Sequence, residues 1–131
     1  MKKLFTLGHP SKCTEFTYRG SARDGVTLDQ TGAPRIDAAF FTAALAQFAG
    51  SDIKGGFSMT DPPRDGFGEW VLKNSPVLNS RALSPRHGSF MAAILCDEAG
   101  VLSRLEGLAV WLTFPRIAQS KDLHPTQGKG K

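Results

Sequence analysis

The 131-residue chain is poor in cysteine, holding only Cys13 and Cys96, and it has a single tyrosine and no long apolar run. Two cysteines this far apart make no CxxC pair, and they are too few for a disulfide framework or a four-cysteine zinc site. Free thiols in a reducing compartment are expected. A membrane-spanning helix needs about 20 consecutive apolar residues, and no stretch comes near that, so no membrane partner is expected. The opening MKKLFTLGHPSKC is basic, as a signal peptide is. Its apolar run over residues 4–7 is cut by Gly8-His9-Pro10, far short of the roughly 7 to 15 residues an export signal requires. The expected location is the cytoplasm.

A strong charge of one sign is also missing. Lys and Arg number 16 against 12 Asp and Glu, a net charge of +4. Most of the excess sits in residues 66–131, with eight basic and five acidic side chains. That permits attraction to phosphate backbones, and it is equally an ordinary route to solubility.

Recognised catalytic spacings are absent as well. There is no nucleophile beside a base, no carboxylate pair and no phosphate-cradling loop. Ser89 follows His87 by two residues, and side chains two apart on a helix point in different directions. Of the three histidines, His9 and His87 each have a cysteine in the same segment, Cys13 and Cys96. Neither pair has zinc spacing, and nine residues of helix separate the second by about 13 Å. The glycines of GGFSMTDPPRDGFG, residues 55–68, lack the Gly-Lys-Ser or Gly-Lys-Thr of a phosphate loop. A long surface loop is expected there, with Arg64 a secondary candidate for partner contact. No catalytic residue, no metal site and no cofactor is expected.

What is present suffices for one core. The chain is 40% hydrophobic and 21% charged, with nine Phe and two Trp, enough burial to offset the entropy of ordering a single domain. The expected organisation is an α+β domain over residues 1–115, with an N-terminal hairpin region over 1–33, and a flexible basic tail over 116–131. Residues 14–28 alternate around Phe16 and Tyr18 and pass through a glycine-bounded turn, the pattern of a β-hairpin. Pro34 suits the first position of a helix, and Phe40, Phe41, Ala44, Leu45 and Phe48 form one apolar stripe over residues 35–49. A short strand is expected over 53–59 and two helical turns over 67–74, stopped by Ser75-Pro76. Ser84 as N-cap, Pro85 at N1 and Gly100 as the stop mark a long helix between them. Residues 101–114 alternate about Glu106-Gly107, a tight hairpin. Trp70 and Trp111, at helical and strand period, are expected in the core.

From residue 34 the succession of helix, short strand, short helix, long helix and hairpin resembles that of the winged helix-turn-helix superfamily, over about two thirds of the chain and with no diagnostic motif. The resemblance implies a DNA-binding module whose long helix meets the major groove at its N-terminal turn while the hairpin wing touches backbone. The positions that match are Arg81, Ser84, Arg86 and Ser89 at the helix start, with His87 among them, and Arg104 on the wing. The helix N-terminus adds partial positive charge and free N–H groups. Asp97 and Glu98 at the other end of this helix oppose its dipole and repel phosphate. The face formed by Ser89, Ala92, Ala93 and Cys96 is expected to point outward, and its small side chains suit the close approach of a protein partner. A non-catalytic nucleic-acid-binding module is therefore the first expectation, a protein-binding inhibitor or adaptor the second, and a small metal-independent nuclease the last.

Overall fold

The structure is a computed structural model that describes residues 2–7, 14–30, 32–57, 63–107 and 109–116. Cys13, His9, His124 and residues 117–131 of the expected tail over 116–131 lie outside the described residues.

The alternating segment after residue 14 forms β2 (Glu15–Ser21) and β3 (Gly25–Leu28), which bury Phe16, Tyr18, Val26 and Leu28 on one face. Gly20 and Gly25 adopt φ of +92° and +94° at the turn, and a Cβ on Gly20 would lie 2.1 Å from the Gly25 carbonyl oxygen. Only glycine closes this hairpin. It grows on both sides: β1 (Lys2–Phe5) pairs antiparallel with β2, and β4 (Arg35–Ile36) with β3, making a four-stranded meander. Pro34 therefore does not start a helix. It precedes β4, where Ile36 is fully buried opposite Val26, and completing the sheet outweighs helix propensity over these two residues.

Helix α1 (Ala38–Gln47) begins after Asp37, and Phe40, Phe41 and Ala44 are its buried residues. The strand β5 (Asp52–Lys54) follows, shorter than expected, and then helix α2 (Phe67–Leu78). Pro76 does not stop α2. It lies inside the helix, which runs on for two residues to a C-cap at Asn79, whose N–H donates to the Ser75 carbonyl. Tertiary anchoring of that end overrides the proline: Ser75 is buried and its hydroxyl accepts from Leu83 N–H at 2.7 Å. Trp70 is half-buried, stacked on Phe40 with ring centres 4.9 Å apart.

Helix α3 (Pro85–Glu98) forms as the sequence predicts, with Ser84 as N-cap and Pro85 at N1. The hairpin β6 (Leu102–Glu106) and β7 (Ala109–Thr113) follows Gly100, whose φ of +77° turns the chain. β7 lies between β5 and β6 in a three-stranded antiparallel sheet, so β6 is an outer strand. From α1 onward the order of helix, strand, helix, helix and hairpin is the expected one, and the molecule is an α+β fold.

The N-terminal sheet packs on α3 and α1. Phe16 meets Phe90 edge-to-face at 4.9 Å, and the C-terminal end of α3 is tied to the sheet by polar contacts. Tyr18 donates its hydroxyl hydrogen to Glu98 Oε2 at 2.5 Å, Ala22 N–H donates to Glu98 Oε1 at 2.8 Å, and Lys2 pairs with Asp97 at 2.8 Å. The acidic pair that opposes the helix dipole thus has partners that compensate it. Burial first, then the Glu98 carboxylate, pushes the Tyr18 phenol well above its usual range. Among the described residues, no helix is long and apolar enough to cross a membrane.

Candidate interaction surface

Four arginines were candidates from the sequence, and the fold treats them differently. Arg81 is exposed and donates to the Gly32 carbonyl at 2.9 Å. Arg86 is exposed on the first turn of α3, and no ion pair is found for it among the described residues. Arg64 is exposed before α2, remote in sequence from both. Arg104 is held on the face of the C-terminal sheet. Its guanidinium grips both oxygens of Asp52 at 2.7 Å, and its Nε reaches Glu106 at 2.8 Å. That fork lowers the Asp52 carboxyl to about 2 and raises the Arg104 guanidinium further. The wing arginine is therefore a sheet staple with its charge already matched.

Around Ser84 the N-terminus of α3 is closed by its own side chains. Ser84 N–H donates to His87 Nδ1 at 3.1 Å, and His87 N–H donates back to Ser84 Oγ at 3.4 Å. This is a capping box with histidine where glutamate or glutamine is usual. His87 is half-buried. Burial, then the nearby charges of Arg81 and Arg86, hold its imidazole below the ordinary value. Ser89 turns inward and donates to the Arg86 carbonyl at 2.8 Å.

The expected outward face of α3 is not outward. Ser89 and Ala93 are each 6% exposed and Ala92 is fully buried, because the first strand of the N-terminal sheet lies against them. Leu7 N–H donates to the Ser89 carbonyl at 3.5 Å there. Small side chains at 89, 92 and 93 do permit close approach, as expected, but the approaching backbone belongs to this chain. Cys96 at the end of that face is half-buried, and burial raises its thiol, partly offset by a hydrogen bond with Ser103. Among the described residues Cys96 is a free thiol.

The same coverage limits α3 as a groove-reading helix. Pro85 and the eight residues from Gly88 through Leu95 are all buried, so only the Arg86 and His87 side of its first turn is open. The glycines after β5 also serve packing: a Cβ on Gly68 would stand 2.0 Å from the Gly56 carbonyl oxygen. Trp111 departs from expectation too. It sits on the solvent face of the C-terminal sheet, half-buried beneath Lys54 at 5.9 Å and Arg104 at 5.5 Å.

The surface that sequence reasoning missed is β6 itself. All five of its residues are exposed, with Leu102 at 67% and Leu105 at 49%. The two leucines are three residues apart and so lie on opposite faces of the strand. The order of strands leaves its outer edge unpaired, since β5 takes the other side of β7 and no strand among the described residues pairs with the far side of β6.

No group of three or more histidine, cysteine, aspartate or glutamate side chains among the described residues is placed to hold a metal ion. Comparison with known protein families, curated proteins and solved structures finds no match to this chain.

Proposed function

We propose that the protein is a non-catalytic interaction module that receives an extended segment of a protein along the free edge of its C-terminal sheet. The observation that carries this reading is β6, an outer strand with every residue exposed and two bare leucines. An edge strand presents unpaired N–H and C=O groups, which are a template for one more strand. The register fixes which groups face out. Glu106 lies opposite Ala109 across a two-residue turn, and Leu105 lies opposite Val110. The closing pair of such a turn exchanges hydrogen bonds and pairs alternate from there, so the amides of Ser103 and Leu105 point away from β7.

Selection from a library of extended peptides tests this reading, with hydrogen exchange on the complex. Selected peptides are expected to protect the Ser103 and Leu105 amides and to lose binding to Leu105→Asp. Peptides that protect another surface, or bind that variant equally well, would sink it.

A second reading, binding of nucleic acid, is favoured by the element order from α1 to β7 and by the exposed Arg81 and Arg86 at the start of α3. The winged helix-turn-helix resemblance belongs to this reading. With the body of α3 buried, the contact would be to phosphate at the helix N-terminus rather than to base edges.

A further inference from the structure

We draw no further inference here: the strongest candidate, the solvent face of the C-terminal sheet where Lys54 and Arg104 lie over the Trp111 ring, carries none, because Arg104 is already matched to Asp52 and Glu106 within the chain and nothing in the structure shows what covers that face.

Discussion

Asp37 N–H, at the start of α1, donates to the Asn79 side-chain oxygen at the end of α2 across 2.7 Å. The same amide donates through its nitrogen to the carbonyls of Arg35 at 2.8 Å and Arg81 at 2.9 Å. The Asp37 carboxylate answers by accepting from Ser80 N–H at 2.5 Å and from its hydroxyl at 3.1 Å. One side chain, 7% exposed, thus ties β4, α1, α2 and the turn into α3. It also fixes where Arg81 leaves the surface.

Asn79→Ala removes one acceptor and two donors from a nearly closed site, leaving three backbone groups to find water. Each buried unsatisfied group costs about 1 to 3 kcal/mol, so the variant is expected to lose at least that much by urea denaturation. An unchanged midpoint would show that the three backbone groups are hydrated without penalty.

The burial of the small face of α3 has an opposite sign of test. If Ala92 were on the surface, Ala92→Leu would change stability by less than about 0.5 kcal/mol. Because Ala92 is fully buried, the added methylenes must displace packed neighbours, at a cost of roughly 1 to 3 kcal/mol. Ile94→Ala, on the buried side of the same helix, is expected to cost about 2 to 5 kcal/mol through the cavity it leaves. Thermal or chemical denaturation of both variants decides, and a neutral Ala92→Leu would restore the outward face.

Local signals were legible wherever backbone chemistry is local. Ser84-Pro85 and Gly100 bound α3, the alternation of Phe16 and Tyr18 makes β2, and Gly107 at φ of +65° turns the last hairpin. The misreadings share one cause, which is packing between parts distant in sequence. Pro34 looked like a helix start because its partner strand β3 lies on the far side of a turn. Pro76 looked like a stop because the Ser75 and Asn79 contacts that anchor α2 come from Leu83, Arg35 and Asp37. The small face of α3 looked open because residues 2–7, which cover it, carry no periodic pattern of their own. Arg104 looked free because Asp52 stands 52 residues away, and β6 looked like an ordinary wing because strand order is not written in either strand.

His87 makes the cap of α3 sensitive to acid. Its Nδ1 accepts from Ser84 N–H only while unprotonated, and the charged groups facing it are Arg81 and Arg86, both of which disfavour a second positive charge. The folded value lies below the unfolded one of about 6.5, so the unfolded chain binds the proton first. Stability contributed by the neutral imidazole is complete above about pH 6.5, declines as the pH falls below it, and levels off beneath the folded value. Urea midpoints from pH 8 to pH 5 should show this decline in the wild type. His87→Gln keeps a capping-box side chain without the titration and is expected to flatten it; parallel curves for the two proteins would remove His87 as the cause.

The nucleic-acid reading is tested at the charges the fold leaves available. A basic side chain that neutralises a phosphate releases condensed counterions, so deleting it lowers the slope of log affinity against log salt by about 0.9 on duplex DNA. Arg86→Ala is expected to lower the slope by that amount, and Arg81→Ala likewise, since Arg81 keeps donors beyond its bond to Gly32. Arg104→Ala is expected to leave it unchanged, because Asp52 and Glu106 already neutralise that guanidinium. Arg64→Ala, in the segment before α2, serves as the control outside the α3 sequence. A slope carried by Arg104 would mean that its ion pairs open on binding and that the wing touches backbone after all. If the wild type shows no association with duplex DNA even at low ionic strength, where the electrostatic attraction is strongest, phosphate binding at α3 is excluded and the β6 edge stands as the working surface.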